Sequence, residues 1–137
     1  KITLVAFVCF LNKCLIHMVL ALAPRHDPFG FLGMAGVQAK GDGATLVLGY
    51  WLGRPYRGQG LMREAIEALV DMALVLTDAK GVETSLSETM PEAAIEMLAS
   101  FGFPPPDADG RSRMSRDGWL RARRQAASRI AWPLVAA

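Results

Sequence analysis

Apolar residues divide the first half of the chain into short runs with the length and composition of β-strands. Residues 2–23 are almost all apolar, but Asn12 and Lys13 separate them into two runs rich in Val, Ile and Phe. Such continuous runs are typical of strands that are buried on both faces. Two more runs follow at residues 29–37 and 44–52, each after a turn-forming segment. The pattern therefore predicts four strands, of which the second and third form a hairpin.

The spacing changes to that of a helix in the second half of the chain. Between residues 59 and 77, apolar residues recur at i, i+3, i+4 and i+7, and charged residues occupy the opposite face. Lys80 and Gly81 predict the end of this helix, through a cation near its negative pole and a glycine able to turn left-handed. Residues 82–87 then alternate as in a strand, and a second helix is predicted from Pro91 to Phe101.

The last third of the chain predicts strands again. After three prolines at 104–106, apolar residues favour two strands around residues 113–120 and 127–135. The whole order is strands, helix, strand, helix, strands, which indicates an α+β (layered α/β) fold with a mixed sheet. A length of 137 residues suits a single domain, which we assign to residues 1–137.

The apolar N-terminal segment has two other interpretations. As a membrane span it would place Asn12, Lys13 and His17 near its middle, where a lysine costs about 2.5–3.5 kcal/mol. The segment also has the three-part composition of a secretory signal. Two buried strands agree best with the polar interruption, so no membrane partner is expected.

Composition and cysteine count narrow the class of protein. Hydrophobic residues make up 52% of the chain and charged residues 20%, which argues against a disordered protein. Cys9 and Cys14 are too few for a disulfide framework or a zinc site, and they indicate reduced thiols and a cytoplasmic location. His17 and His26 have no partner at metal-ligand spacing, so no metal is expected.

The charge is distributed unevenly along the chain. The net charge is +2, but residues 111–129 contain seven arginines against one acid, Asp117. Such a patch could bind RNA, a ribosomal surface or an acidic peptide. Few aromatic residues are interleaved, and Arg121, Arg123 and Arg124 cluster where a turn between the last two strands is expected. A solvated face and turn of a terminal hairpin is therefore favoured, and nucleic acid is not expected as a partner.

The segment after the fourth predicted strand is the most informative for function. It passes through Pro55 to Gly58 and Gly60, which directly precede the first helix. Glycines here let the backbone approach a ligand, and the N–H groups of a helix N-terminus attract phosphate. Arg57 could add a cation for the phosphate, which we favour slightly, or it could cap the loop by bonding carbonyl groups. The spacing fits neither a P-loop nor a dinucleotide fingerprint.

This loop resembles that of a known superfamily. Residues 57–62, Arg-Gly-Gln-Gly-Leu-Met, resemble the Arg/Gln-x-x-Gly-x-Gly/Ala signature of the GNAT N-acetyltransferases. Residues 48–52, Leu-Gly-Tyr-Trp-Leu, are similar to the ribosomal-protein N-acetyltransferase branch, and residues 101–103, Phe-Gly-Phe, resemble a Leu-Gly-Phe that closes the second conserved helix. The resemblance covers residues 20–135 and leaves residues 1–19 as an atypical apolar segment.

The resemblance implies a mostly antiparallel sheet, splayed between its fourth and fifth strands, with flanking helices and acetyl-CoA in the opening. The family's usual N-terminal strand and helix pair has no recognisable counterpart before Leu20. Pantetheine would pair with the strand edge near Tyr50, Leu52 and Gly53. The residues whose N–H groups would meet the pyrophosphate are Arg57, Gly58, Gln59, Gly60, Leu61 and Met62.

The implied activity is acyl transfer, from acetyl-CoA as co-substrate to a primary amine of a small molecule or a protein N-terminus. Such a reaction needs an unprotonated amine, a polarised carbonyl group and a proton for the leaving thiolate. Glu88 is the candidate base, although a solvated turn carboxylate is the favoured interpretation. Tyr50 could orient the thioester or donate a proton, with core packing as the alternative.

Departures from the family pattern keep other functions open. Met62 stands where the signature has Gly or Ala. Pro91 and Ala94 stand where the branch usually has Asn and Ser. On the central strand, Val47 or Leu48 stands where a Glu often lies in the family. The chain could therefore be a catalytically impaired acyl-CoA-binding protein. A third hypothesis is an RNA- or ribosome-associated protein that uses the C-terminal arginines. A homodimer is left open.

Overall fold

The structure is a computed structural model. It describes residues 2–12, 15–27, 30–41, 43–87 and 89–136, with side chains at residues 18–27, 30–41, 43–87 and 89–127. A short 3-10 turn, Arg54–Tyr56, separates the fourth strand from the first helix. The other elements in chain order are β1 (Ile2–Asn12), β2 (Leu15–Pro24), β3 (Gly33–Lys40), β4 (Thr45–Leu52), α1 (Leu61–Leu76), β5 (Gly81–Ser85), α2 (Glu92–Ser100), β6 (Arg111–Ser115) and α3 (Arg116–Ala136).

The six strands form one sheet in the order of the sequence, β1-β2-β3-β4-β5-β6. All neighbours pair antiparallel except β4 and β5, which are parallel. A parallel pair needs a crossover connection, and α1 provides it. The predicted α+β fold with a mixed, mostly antiparallel sheet is therefore confirmed, and the apolar N-terminal segment forms two strands as predicted.

One face of the sheet packs against α1. Alternate residues of the central strands, such as Leu20, Val37 and Leu46, are almost completely buried, as are Ile66 and Leu69 of α1. This burial follows from the period of two along the strands and the apolar stripe along the helix. The predicted end of the second helix is also present. Here Gly102 has a positive φ of 97°, and the N–H of Phe103 donates to the carbonyl of Leu98, as in a Schellman motif.

The predicted C-terminal hairpin is wrong. The strand expected at residues 113–120 is the shorter β6, and α3 replaces the strand expected at residues 127–135. The tertiary contacts explain the helix, because Trp119 and Arg123 lie one helical turn apart and both donate hydrogen bonds to Asp71 of α1. The arginines at 121, 123 and 124 therefore lie on a helix and not in a turn.

The first helix ends earlier than predicted, at Leu76. Gly81 does not turn left-handed after it but begins β5. Instead of a glycine, the guanidinium of Arg116 donates to the carbonyls of Leu74, Thr77 and Ala79 at 2.6, 3.1 and 3.1 Å. A cation at this end also opposes the negative pole of α1.

Across the part of the chain that the structure describes, none of the helices has both the length and the apolar composition needed to cross a bilayer.

Candidate functional site

Strands β4 and β5 separate after only three paired residues. The pairs are Thr45–Gly81, Leu46–Val82 and Val47–Glu83, and within the described residues β4 has no partner in β5 beyond them. At the point of separation the hydroxyl of Thr84 donates to the carbonyl of Leu48 at 3.3 Å. The second half of β4 therefore presents a free strand edge, and the predicted splay between the fourth and fifth strands is confirmed.

The glycine loop lies at the end of this free edge. Gly58 and Gly60 both have φ of +77°, a conformation that other residues adopt only with strain, and Gly60 directly precedes α1. The N–H of Arg57 donates to the carbonyl of Arg54. The next backbone N–H along the chain with an acceptor is that of Glu64, which donates to the carbonyl of Gly60.

The N–H groups of residues 58–63 consequently donate to no other described residue. They lie together at the N-terminus of a 16-residue helix, where the helix dipole favours an anion. The N–H of Arg57, in contrast, is already used within the protein.

The side chain of Arg57 has a structural contact. Its Nε donates to the carbonyl of Leu52 at 2.9 Å, which ties the loop to the last residue of β4. This is the carbonyl-capping role that sequence analysis left as the alternative. Among the described residues, no partner is bonded to the two Nη groups, which leaves them free to meet a ligand.

Leu52 and Gly53 are less available than the resemblance implies. The N–H of Gly53 donates to the carbonyl of Leu32 at 2.8 Å, and the carbonyl of Gly53 accepts from Tyr56 at 2.9 Å. The N–H of Gly53 is therefore not free to pair with a ligand. The free edge of β4 is limited to residues 48–52.

Tyr50 carries an unusual hydroxyl group. The oxygen is shut off from solvent and has no hydrogen-bond partner among the described residues. Burial raises the pKa of Tyr50 above its ordinary value of 10.0, so the group keeps its proton at neutral pH. Glu88, the candidate base, lies outside the described residues.

An ionic cluster that the sequence did not predict lies at the closed end of the sheet. The carboxylate of Glu83 accepts hydrogen bonds from Arg111 at 2.8 Å, Arg113 at 3.1 Å and Lys40 at 3.3 Å. Burial alone would raise the pKa of Glu83, but the bonds from Arg113, Arg111 and Lys40 outweigh it and lower the pKa from its ordinary 4.5. Two arginines at alternate positions of β6, facing one acid on β5, were the available signal.

The remaining C-terminal arginines are also largely engaged within the protein. Arg113 reaches Asp107 as well as Glu83, Arg116 caps α1, and Arg123 pairs with Asp71 at 2.9 Å. Acids outside residues 111–129 thus pair with three of the seven arginines, Arg111, Arg113 and Arg123. This arrangement does not favour the RNA-binding hypothesis. In the described portion of the chain, no three His, Cys, Asp or Glu side chains are grouped as metal ligands.

Comparison with known protein families shows which family has this sequence. Residues 12–103, more than half of the chain, match the acetyltransferase (GNAT) domain family. The chain therefore belongs to the GNAT acetyltransferase family. No curated relative matches it by sequence.

Several solved acetyltransferase structures share the fold. The aminoglycoside acetyltransferase AAC(6')-Ib in complex with coenzyme A superposes with a TM-score of 0.62 at 17% identity, over 78% of this chain and 70% of that one. The spermidine/spermine N-acetyltransferase SpeG of Vibrio cholerae gives 0.65 at 11% identity, over 77% and 67%. The ribosomal-protein-S5-alanine acetyltransferase of Vibrio fischeri gives 0.63 at 17% identity, over 75% and 63%. The three scores are alike, so they show the fold without distinguishing a branch.

Proposed function

We propose that this chain is an N-acetyltransferase that transfers an acetyl group from acetyl-CoA to a primary amine. The observation that carries the proposal is the row of unbonded N–H groups at residues 58–63, which follows the free edge that β4 presents after it leaves β5. In a GNAT domain this combination suits a ligand with a diphosphate and an extended polar arm. Coenzyme A has both, and it is present in the AAC(6')-Ib structure.

The loop would hold the diphosphate of acetyl-CoA. The N–H groups of Gly58, Gln59, Gly60, Leu61 and Met62 would donate to its oxygens, helped by the dipole of α1. The free Nη groups of Arg57 would add a charge-assisted contact. The pantetheine arm would continue the sheet along residues 48–52, in place of the strand that β5 does not supply.

The chemistry would follow from this placement. The amine nitrogen attacks the thioester carbonyl carbon, a C–N bond forms, and the C–S bond of acetyl-CoA breaks. The leaving thiolate needs a proton, for which our candidate donor is the buried hydroxyl of Tyr50, since it has no other hydrogen-bond partner among the described residues. The proton lost by the amine passes to a base, for which Glu88, directly or through water, remains our candidate.

Gly60→Val tests the diphosphate site. A branched side chain at Gly60 would obstruct the ligand's approach to the loop, and we expect acetyl-CoA binding in calorimetry to weaken at least about 100-fold. Gly43→Val is the matched control, because Gly43 also has a positive φ, +85°, with open space at its Cβ position. Gly43 lies at the other end of β4, so its variant should show a similar stability loss and normal binding. Equal binding by both variants would overturn the proposal.

Two outcomes separate the remaining hypotheses. A protein that binds acetyl-CoA but releases no free thiol with any amine would be the impaired acyl-CoA-binding protein, as Pro91 and Ala94 suggested. Loss of RNA affinity on replacing Arg121 and Arg124 would instead support the ribosome-associated alternative. The cytoplasmic location, the single-domain assignment and the oligomeric state remain predictions.

A further inference from the structure

The face of the sheet opposite α1 carries an open cavity beside the splayed edge. The cavity measures about 380 Å³ and is lined by β2, β3 and β4. Its floor includes Gly36 and Gly49, which are cross-strand partners. A Cβ added to Gly49 would meet no atom within 4 Å, whereas one added to Gly36 would lie 3.0 Å from the carbonyl oxygen of Met18 and 3.4 Å from Cγ2 of Val19. A planar molecule could therefore lie on the backbone at Gly49, with the side chain of Val19 bordering it beside Gly36.

Large apolar side chains form one end of this cavity. Met34 and Trp51 are cross-strand partners on the same face as the glycine pair, and they are 43% and 51% exposed. The ring of Phe31 stacks on Trp51 with centroids 6.0 Å apart and planes inclined by 22°. Exposed and stacked aromatic rings of this kind favour the face of another planar apolar group.

The strands that line the cavity carry no acid that could bind a polycationic ligand. The three strands that line it, β2, β3 and β4, contain no Asp or Glu. The nearest strand carboxylate, Glu83, pairs with Val47 and is bonded to Lys40, Arg111 and Arg113. With Asp107 and Asp109, which also act on Arg113, three cations face three carboxylates, so this cluster has no negative charge in excess. A second ammonium group on the ligand would find no counter-charge there.

We infer that the acceptor is a monoamine with a planar apolar body, which lies over Gly36 and Gly49 and stacks against Trp51. This inference rests on the proposed function and specifies the substrate class of the same site. It separates this chain from neighbours named for polycationic substrates, the aminoglycoside and spermidine/spermine acetyltransferases. The fold is shared, but selectivity depends on the side chains of the open face.

The test measures acceptor binding to the protein saturated with CoA, so that turnover is not required. Phenethylamine should bind at least about tenfold more tightly than spermidine or kanamycin in calorimetry. Trp51→Ala should weaken phenethylamine binding about tenfold, and Trp51→Phe should restore most of it. Leu76→Ala, at a residue of α1 that is 58% exposed, removes a comparable exposed apolar group away from the cavity and should have no effect.

Other results would overturn the inference in distinguishable ways. Tighter binding of spermidine or kanamycin, with normal CoA binding, refutes the acceptor class and leaves the proposed function intact. Failure of CoA itself to bind refutes the proposed function. If Trp51→Ala changes only the oligomeric state in sedimentation, the aromatic surface joins two copies of the chain and is not an acceptor site.

Discussion

The two halves of β4 have the same strand geometry and different surroundings. In the first half, residues 45–47 pair with β3 on one side and β5 on the other, next to the ionic cluster of Glu83. In the second half, residues 48–52 pair with β3 alone. The first half closes the sheet, and the second half leaves an edge that ends in the glycine loop.

The comparison shows how a free strand edge is tolerated inside a domain. Leu48 and Leu52 of the open half are 3% and 9% exposed, close to the 0% of Leu46 in the closed half. Side-chain packing on the α1 face is therefore continuous along the whole strand, and only the backbone edge differs. Burial of this kind can stabilise the strand without the missing partner, which leaves the edge for a ligand.

Hydrogen exchange should show the largest difference between the halves. At about 100 times its Kd, acetyl-CoA should slow exchange of the unbonded amides in residues 48–52 and 58–63 by up to about 100-fold, because only about 1% of the protein is then free of ligand. Residues 45–47 should change little, because β5 already covers their edge. Equal slowing in both halves, measured by mass spectrometry or NMR, would contradict binding along the open edge.

Substitutions of Arg57 can separate its bond to the carbonyl of Leu52 from its proposed contact with the diphosphate. Glutamine places its amide nitrogen where Nε lies and can keep the bond to Leu52, but it removes the charge. We expect Arg57→Gln to weaken acetyl-CoA binding about threefold, and Arg57→Ala, which loses both contacts, about tenfold. Calorimetry over a range of salt concentrations checks this, with Arg121→Ala on α3 as the control for net charge. Identical losses for both Arg57 variants would show that the Leu52 bond does not contribute.

Replacement of Glu83, next to the closed half of β4, should lower the stability of the protein. Glu83→Gln removes the carboxylate that Lys40, Arg111 and Arg113 share, and we expect a loss of about 1 kcal/mol in the free energy of unfolding, since the cations are partly exposed. Because the folded state lowers the pKa of Glu83, its contribution is complete above 4.5 and is lost as the pH falls through the folded value.

Urea unfolding of the two proteins should therefore differ at neutral pH and converge in acid. Glu96→Gln, at an exposed position of α2, should stay within about 0.5 kcal/mol of wild type. A difference that grows in acid would contradict the assigned direction of the pKa shift.

The smallest effect on acetyl-CoA binding is expected at the point where β4 and β5 separate. Thr84→Val removes the hydrogen bond to Leu48 and should cost about 1 kcal/mol, with acetyl-CoA binding about twofold weaker because the edge is less fixed. Thr77→Val removes two buried hydrogen bonds at the far end of α1, the one that the hydroxyl donates to Ala73 and the one that it accepts from the N–H of Ala79. This control should lower stability at least as much as Thr84→Val and leave acetyl-CoA binding unchanged, as thermal unfolding and calorimetry would show.

Much of the fold was predictable because its signals are local. The strands β1, β2 and β4, the amphipathic stripe of α1 and the glycine loop all follow from residues close together in the chain. The C-terminal hairpin failed for the opposite reason. The helix α3 is stabilised by Trp119 and Arg123 against Asp71, contacts that join residues 48 and 52 positions apart.

The candidate site also has features that the sequence predicts and features that only the tertiary structure shows. By itself the sequence determined that glycines at 58 and 60 precede a helix, since both the turn and the dipole are properties of one short segment. Only the tertiary structure decided where β4 leaves β5, that Arg57 binds Leu52, and that Gly53 is already bonded. Those outcomes depend on which distant strands and loops meet, and the free energy of such contacts is set by burial and geometry that no local pattern contains.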